Sequence, residues 1–549
     1  MDFKREIQDL LKKENINLEL EIPPSSDMGD YALPCFPLAK VYKKSPIDIA
    51  KELQSKIKPS KIISKIEASG SYLNFFINKA IYNKTIIESK YKIKKQNKTI
   101  VLDFSQPNIM KPFNIAHLRS TMIGNSIYKI LKHEGYKVIR VNHLGDWGTQ
   151  FGKMMYAYES WGNKKDLLKD PMHYMTNLYV RFHKEAEINP VLEDKGREWF
   201  AKLEKGDKQA RAYWELFSKL SLKYYNKTYK RLKIDFDSWA GEAFYEPYLK
   251  QTLQLLKEKN LIKESENALI VDLEPYSLTP CIVQKSDGST IYATRDITAA
   301  IYRASKYKFY KNLYVVDVRQ SLHFQQVFKV LELAGFEWYK GCEHIPFGTM
   351  KFEDGVMSTR KGLIIYLEDV LDKSVESVSK IIEEKNPRLK NKKKIAEKVG
   401  LGAIIFWDLS HDRIKDISFS WAKVLDFNGE TGPYVQYTHA RANSILNKTN
   451  NKAIPKYELL IHESEKELIR QISQYEEFIE KAAQQYKPSI IAKYLITLCQ
   501  AFNDFYEKCP CLKEQNKGLS AARLKLIKRT KVILEGGLDL LGIEAPGEM

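Results

Sequence analysis

The sequence predicts an α/β protein: a doubly wound parallel sheet with a helical insertion, preceded by a small α+β domain and followed by an all-α domain. Strand–helix–strand patterns at residues 99–142 and 313–350 indicate the sheet, and helical periodicity without strands after about residue 427 indicates the last domain. A chain of 549 residues exceeds the size of a single hydrophobic core, so several domains are expected. We place their bounds at 1–92, 93–426 and 427–549, with the insertion at about 151–260.

The first 92 residues alternate between helical and extended patterns. Helices are predicted up to Lys13, at 37–44 and at 47–57, and extended structure at 66–77. The first helix carries acidic residues near its start, which is not typical of a secretory signal or a transit peptide. The basic segment KYKIKKQNK at 90–98 indicates the boundary with the next domain.

The first strand–helix–strand unit contains an unusually long loop. Residues 99–104 are β-branched and apolar, apolar residues recur at helical spacing over 118–131, and residues 136–142 return to a strand pattern. The loop at 105–116 has about a dozen residues, where such loops usually have two to six. A loop of this length is usually functional.

This loop predicts a nucleotide site. It brings Asn108, Lys111, Asn114 and His117 to a helix N-terminus, where free N–H groups and the positive end of the helix dipole favour a phosphate. The alternative is an irregular loop in which His117 only caps the helix.

Residues 151–260 are dominated by helical periodicity and aromatic side chains, which predicts the insertion. Most of these aromatic residues are expected in the core. After the insertion we expect a strand at 268–273, a hairpin turn at 286–288, and a strand end that runs into a helix in IYATRDITAAIYRASKY.

The second half of the sheet is predicted from a strand at 313–318, a helix at 323–334 and a strand at 344–350. In a doubly wound sheet the ligand lies beyond the carboxyl ends of the strands. We expect Tyr292, Asp296, Gln320 and His323 at such ends.

Composition restricts the class of partner. A net charge of +19 indicates a polyanionic partner. Nucleic acid is favoured over a membrane, because no basic amphipathic helix stands out and no apolar run approaches the roughly twenty residues of a membrane span. Six cysteines lack metal-ligand or disulfide-framework spacing, which fits a reducing compartment, and we expect a cytoplasmic protein.

Two segments resemble the class I arginyl-tRNA synthetases: FSQPNIMKPFNIAHLRST at 104–121 and HLGDWGTQFG at 143–152. The His-Ile-Gly-His signature of that family falls on 114–117, where Asn114 replaces the first histidine and Ala116 the glycine. The loop GVMSTRKG occupies the place of the second signature, Lys-Met-Ser-Lys, with Val356 and Thr359 where its lysines would be.

The resemblance covers the whole chain. SDMGDYALPCFPLAK is similar to the N-terminal domain that contacts the tRNA elbow in this family, and GPYVQYTHARANSIL is similar to the start of its helical anticodon-binding domain. The resemblance therefore implies a Rossmann-type catalytic domain between a tRNA-elbow domain and an anticodon-binding domain.

The implied reaction joins L-arginine to ATP as arginyl-adenylate. It then transfers the arginyl group to the 2′-hydroxyl of the terminal adenosine of the arginine tRNA, with release of AMP and pyrophosphate. Mg²⁺ would accompany ATP through its phosphate oxygens, and no dedicated metal site is visible. We expect a monomer that binds no membrane.

The resemblance also implies roles for individual residues. Those expected in catalysis are Lys111, Asn114, His117 and Lys361. Those expected to bind arginine are Asp103, Asn108, Glu242, Tyr292, Asp296 and Gln320. Those expected to bind ATP are Asn114, Ala116, His117, Met357, Ser358, Arg360 and Lys361, and those expected to bind tRNA are Gln436 and Met549.

A carboxylate is the expected binding partner of the arginine side chain, because the guanidinium group is planar and permanently charged. Asp296 lies four positions after Tyr292, so one helical turn can aim both at one pocket. The alternative for Asp296 is a helix cap or an ion pair with Arg295 or Arg303.

Two rival functions stay open at this point. One is a class I synthetase for another amino acid, such as glutamate or cysteine. The other is a tRNA-binding paralogue with weakened or lost activation, which the departures in both signatures allow. An aminoacylation assay with arginine, ATP and tRNA separates these readings.

Overall fold

The structure, a computed structural model, describes residues 3–25, 28–90, 94–286, 288–352, 366–427 and 429–549. The chain forms two compact units. Unit 1 contains residues 1–92, 441–475 and 497–533, and unit 2 contains residues 93–440, 476–496 and 534–549.

The N-terminal part of unit 1 is a small α+β arrangement, as predicted. Its elements are α1 (Phe3–Lys13), β1 (Tyr31–Pro34), α2 (Phe36–Tyr42), α3 (Pro46–Lys56), β2 (Ile63–Ser69), β3 (Tyr72–Ile77) and α4 (Lys79–Glu88). The strands form an antiparallel sheet in the order β1-β3-β2. Helix α4 begins where the side chain of Asn78 accepts hydrogen bonds from the backbone N–H groups of Ala80 and Ile81.

Helix α4 is fixed to the C-terminal part of the same unit. Asn83 is buried and donates a hydrogen bond of 3.1 Å from its side chain to the carbonyl oxygen of Tyr457. The hydroxyl of Tyr457 donates to Glu88 at 2.7 Å, and Arg529 donates to the hydroxyl of Ser89 at 2.9 Å. Unit 1 therefore joins the first 92 residues to segments that lie several hundred positions later in the chain.

The parallel sheet lies in unit 2. It begins with β4 (Thr99–Asp103), α5 (Ile115–His133) and β5 (Lys137–Val141), close to the predicted bounds. The insertion that follows is helical, as predicted, and contains α6 (Thr149–Trp161), α7 (Lys164–Lys169), α8 (Pro171–Ile188), α9 (Val191–Glu204), α10 (Lys208–Arg231), α11 (Glu242–Tyr245) and α12 (Leu249–Glu258).

The chain then forms β6 (Ile262–Ser265), β7 (Ala268–Val271), β8 (Cys281–Gln284), α13 (Tyr292–Tyr307), β9 (Lys311–Asp317), α14 (Ser321–Leu333), β10 (Cys342–Phe347) and β11 (Met350–Phe352). Strands β10, β9, β4 and β5 are neighbours in that order, and every pair is parallel. The predicted parallel sheet is confirmed.

Two predicted strands differ from the structure. Strands β6, β7 and β8 form a separate antiparallel sheet, so Tyr292 and Asp296 follow a loop from that sheet and not the carboxyl end of a parallel strand. The strand predicted at 344–350 is interrupted at Gly348, whose N–H bonds to the carbonyl of Arg413. A Cβ at Gly348 would lie 2.5 Å from the carbonyl oxygen of Ile414, so this close backbone approach requires glycine.

The remaining elements are α15 (Leu367–Lys385), α16 (Lys392–Ser410), β12 (Ile417–Phe419), α17 (Trp421–Val424), α18 (Gly432–Asn447), α19 (Glu463–Ser473), α20 (Tyr475–Gln485), α21 (Pro488–Lys508) and α22 (Lys517–Leu540). Strand β12 pairs with β11, and the described residues after it form helices and loops, as predicted. Across the described ranges, no helix has the length and apolar character needed to span a membrane. All six cysteines are unbridged.

Candidate active site

A cavity of about 470 Å³ lies at the carboxyl ends of β4 and β9, and we call it the acidic pocket. It brings together all the side chains expected to bind arginine: Asp103, Asn108, Glu242, Tyr292, Asp296 and Gln320. Helix α13 contributes Tyr292 and Asp296 from its first turns, which confirms that one turn can aim both at one pocket. His323 lies in the same wall.

Asp103, at the end of β4, already has a cationic partner. Its carboxylate lies 2.7 Å from Nη2 of Arg303, and both side chains are almost completely buried. Gln106 also donates to Asp103 at 2.8 Å. Burial alone would lower the pKa of Arg303, but the negative charge of Asp103 keeps that pKa well above its usual value. The charge of Asp103 is therefore balanced before any ligand enters.

Asp296 is paired with histidine. Nε2 of His323 lies 2.7 Å from Oδ2 of Asp296, and Nε2 of His143 lies 4.0 Å from Oδ1. Burial would raise the pKa of Asp296, but the hydrogen bond and charge of His323 hold it below its usual value. Burial would lower the pKa of His323, but its bond to Asp296 raises it.

The alternative partners of Asp296 bind other acids. Arg295 donates to Glu246 at 2.9 Å, and Arg303 pairs with Asp103. Asp296 is therefore paired with histidine and not with either arginine.

Glu242, the first residue of α11, is the buried acid without a cation. Its side chain lines the pocket with a residue exposure of 8%, and no lysine, arginine or histidine nitrogen of the described chain lies within 4 Å of its carboxylate. Burial raises the pKa of Glu242 to about 8, since Arg295 offsets only part of the effect and neighbouring acids add to it. Burial likewise raises the pKa of nearby Asp146 to about 6.

A second cavity of about 710 Å³ adjoins the long loop, and we call it the loop cavity. It is lined by Lys111, Asn114 and His117 on one side and by α8 on the other, where it meets Tyr179, His183 and Lys184. Asn108 lines both cavities. Three of the four residues expected in catalysis therefore surround one space beside the acidic pocket.

Asn114 and His117 form a capping box at the start of α5. Oδ1 of Asn114 accepts hydrogen bonds from the N–H groups of Ala116 and His117, and the N–H of Asn114 donates to Nδ1 of His117 at 3.2 Å. The expectation of free N–H groups at this helix end was wrong for these two amides, because the asparagine side chain occupies them. The amide nitrogen of Asn114 stays as a possible donor.

The same bond fixes the protonation of His117. Because Nδ1 accepts from a backbone N–H, the ring proton of the neutral form is on Nε2. Burial and the charge of Lys111 lower the pKa of His117 to about 4, so this ring is a neutral hydrogen-bond donor at physiological pH.

Lys111 is held by the insertion. The hydroxyl of Tyr225, on α10, lies 2.7 Å from the carbonyl of Asn108 and 2.6 Å from that of Lys111. Ser221 accepts from the N–H of Met110, which has a positive φ of 67°. Burial lowers the pKa of Lys111, and no carboxylate of the described residues pairs with it. The lysine therefore presents an unneutralised charge beside the loop cavity.

The other expected site residues are placed differently. Met357, Ser358, Arg360 and Lys361 lie outside the described residues. Ala116 is exposed and is not part of the loop-cavity lining.

The residues expected to bind tRNA hold the end of the chain. Gln436 is fully buried, and its side chain donates to the carbonyls of Lys398 and Glu544. This burial does not fit a direct contact between Gln436 and RNA. Met549 is partly exposed and packs against a cluster that includes Val378 and Val399, while its carbonyl accepts from Asn386.

Arg119 is a structural residue that sequence reasoning missed. It lies two positions after His117, is completely buried, and donates from Nη1 to the carbonyls of Gly348 and Thr349 and from Nη2 to that of Arg413. Its Nε lies 3.2 Å from the buried carboxylate of Asp408 on α16. Arg119 thus ties the helix of the first signature to the segment after β10.

Comparisons with known proteins agree over the full chain. The family "tRNA synthetases class I (R), catalytic domain" matches residues 38–421, and the family "DALR anticodon binding domain" matches residues 435–549. The chain is 48% identical to the arginine–tRNA ligase of Clostridioides difficile, with coverage of 100% of this chain and 98% of the relative. It is 46% identical to that of Halothermothrix orenii, with coverage of 100% of both.

A solved structure shows the same fold. The Thermus thermophilus arginyl-tRNA synthetase superposes with a TM-score of 0.83 at 26% sequence identity, over 100% of this chain and 99% of that one.

Proposed function

The chain belongs to the class I arginyl-tRNA synthetase family, and we propose that it activates L-arginine with ATP and transfers the arginyl group to the 2′-hydroxyl of the terminal adenosine of arginine tRNA. The observation that carries this proposal is the acidic pocket, which collects every residue expected to bind arginine and shares Asn108 with the loop cavity.

The first step needs orientation more than a protein nucleophile. The α-carboxylate of arginine is ionised at neutral pH and attacks the α-phosphorus of ATP, forming the mixed anhydride and breaking the bond to pyrophosphate. We propose that Asp296 and Glu242 receive the guanidinium and that Tyr292 packs on its stem. Asn108 and Gln320 hold the α-amino and carboxylate end, so the attacking oxygen points towards the loop cavity.

Residues of the loop cavity stabilise the charge that grows on the phosphates. Lys111 supplies a positive charge, and Nε2 of His117 and the amide of Asn114 supply neutral donors. We propose that Ala116, Met357, Ser358, Arg360 and Lys361 complete the ATP site, as the family signatures imply.

Mg²⁺ would reach this site with ATP. Among the described residues no group of three or more His, Cys, Asp or Glu side chains is arranged to hold a metal ion. Apart from the acid Glu187, the polar side chains that line the loop cavity include two lysines, two histidines and two asparagines, which suit phosphate oxygens. We therefore propose that the ion is bound mainly through ATP and adds positive charge to the phosphates.

The tRNA contacts are proposed from the domain arrangement. Residues 1–92 would contact the tRNA elbow, 93–426 would carry the chemistry, and 427–549 would bind the anticodon. Met549 would contact tRNA directly, whereas Gln436 would act by holding the terminal segment. The net charge of +19 supports a polyanionic partner, and the unbridged cysteines fit a reducing compartment such as the cytoplasm, where we propose that the protein acts as a monomer.

Aminoacylation of total tRNA by the purified protein, with each amino acid in turn, tests the proposal. Charging should occur with arginine and should require ATP. Charging with glutamate or cysteine would contradict the specificity, and tRNA binding without any charging would favour the paralogue. A Glu242→Gln/Asp296→Asn double variant is the matched control, because it removes the two carboxyl groups that are proposed to receive the guanidinium and should lose charging without losing tRNA binding.

A further inference from the structure

The acidic pocket has an uneven charge arrangement. Several acids in and beside it are neutralised by basic side chains of the protein itself, at distances of 2.7 to 2.9 Å: Asp103 by Arg303, Asp296 by His323 and Glu246 by Arg295. Glu242 has no such partner within 4 Å among the described residues, although it is 92% buried, having 8% of its surface exposed.

The groups that face Glu242 do not replace this missing partner. Arg295, on α13, is the basic group near it, but this guanidinium is bound to Glu246. Asp296 on α13, Glu246 after α11 and Asp146 before α6 are acids and oppose a second negative charge. Tyr292 is neutral at physiological pH, because burial and Glu242 raise its pKa further.

A buried acid in such surroundings holds a proton. Burial disfavours the charged form of a carboxyl group unless a cation or hydrogen-bond donors compensate. The pKa of Glu242 is raised to about 8 in the empty pocket, so most molecules carry the neutral acid at pH 7.

We infer that the guanidinium of arginine takes the place of a proton on Glu242, so that each binding event releases that proton to the solvent. This inference rests on the proposed function and adds a proton to its binding step. The neutral carboxyl and the cationic ligand become a carboxylate–guanidinium ion pair, and one proton passes to the buffer. The net charge of the pocket is therefore the same before and after arginine enters.

Exchange of a proton for a guanidinium has a consequence for specificity. Citrulline has the shape of arginine but a neutral urea group, so it cannot replace the proton by a permanent positive charge. It should bind weakly and without proton release.

Isothermal titration calorimetry of the full-length protein with arginine measures the released proton directly. At pH 7 the observed enthalpy is compared in buffers of different ionisation enthalpy, and the slope gives the number of protons released. A pKa of about 8 predicts a slope of about 0.9, falling to about half near pH 8. Glu242→Gln should bring the slope close to zero at pH 7, whereas the control Glu337→Gln should leave it unchanged, because Glu337 is exposed, pairs with Lys340 and does not line the acidic pocket.

The outcomes separate this inference from the proposed function. Arginine binding with a slope near zero at pH 7 overturns the inference and leaves the proposed function standing. A slope that persists in Glu242→Gln assigns the proton to another group, such as His323, and also overturns it. If Glu242→Gln binds arginine too weakly for calorimetry, the pH dependence of the wild-type slope decides. A wild-type slope that is already near zero at pH 8 excludes Glu242 as the source of the proton. Absence of arginine binding by the wild-type protein contradicts both.

Discussion

Replacement of Arg119 by methionine should strongly destabilise unit 2. The guanidinium is completely buried, bonds to three carbonyl groups and pairs with Asp408. Removing one partner of a buried ion pair costs about 3–5 kcal/mol. Asp408 can take up a proton, because burial raises its pKa to about 6 despite Arg119, so the lower end of that range applies.

The carbonyl groups add to this cost. Each one that loses its donor in the interior costs about 1 kcal/mol, which gives about 6 kcal/mol in total for Arg119→Met. That is a large part of the 5–15 kcal/mol by which proteins are typically stable. Arg119→Lys keeps the charge, but its single nitrogen cannot occupy the separate positions of Nη1, Nη2 and Nε, so about half of the loss is expected.

Urea denaturation followed by circular dichroism measures these differences. Arg197→Met is the matched control. The ion pair of Arg197 with Asp194 on α9 is exposed, so its loss should leave the urea concentration at the midpoint of unfolding close to the wild-type value. Hydrogen exchange gives a local readout: the amide of Gly348, which donates to the carbonyl of Arg413, should exchange faster in Arg119→Lys.

A double variant separates the two contributions. Asp408→Leu, added to Arg119→Met, removes the acid that has lost its partner. The double variant should regain about 3 kcal/mol of the free energy of unfolding, whereas the loss caused by the unbonded carbonyl groups should remain. A free energy of unfolding of Arg119→Met within about 1 kcal/mol of the wild-type value would refute the reasoning. Complete recovery in the double variant would show that the carbonyl bonds contribute nothing measurable.

Four further outcomes are expected at the active site. Asp296→Asn should lower kcat/KM for arginine at least about 100-fold with ATP binding retained, and an unchanged value would mean that Asp296 serves only to bind His323. In single-turnover adenylation Lys111→Ala should be about 10²–10³-fold slower with little change in arginine KM; if only Lys361→Ala is slow, Lys111 does not replace the missing lysines. ATP–pyrophosphate exchange should require bound tRNA, and equal rates without it would contradict this. The dissociation constant of arginine should rise about tenfold per pH unit as the pH falls from 7 to 6, because Glu242 must lose its proton, and should level off above about pH 8. A constant affinity over that range would argue against the coupling.

Local patterns were sufficient for the elements that carry the site. The β-branched run before Phe104 and the apolar spacing after His117 depend on neighbouring residues only, and they placed β4 and α5 within a few positions. The same logic put Tyr292 and Asp296 on one helical turn, and both do face one pocket.

Contacts between distant segments could not be predicted in this way. Nothing near Asp296 in sequence shows that His323 will occupy one of its oxygens, and nothing near Asp103 points to Arg303. Arg119 stands among apolar residues of α5, where a pattern gives no reason to expect carbonyl partners. The charge state of the pocket depends on these long-range pairs, so the exceptional position of Glu242 emerged only from the structure.

The joining of distant segments in unit 1 has a consequence for how the protein is made. Arg529 follows its partner Ser89 by 440 positions, and Tyr457 follows Asn83 by 374. At a synthesis rate of about 5–20 residues per second, the ribosome needs about 20–90 s to produce the later partners. During that time the amide of Asn83 has no Tyr457 carbonyl to bond with, so α4 can complete its packing only after residues 457–529 have been synthesised.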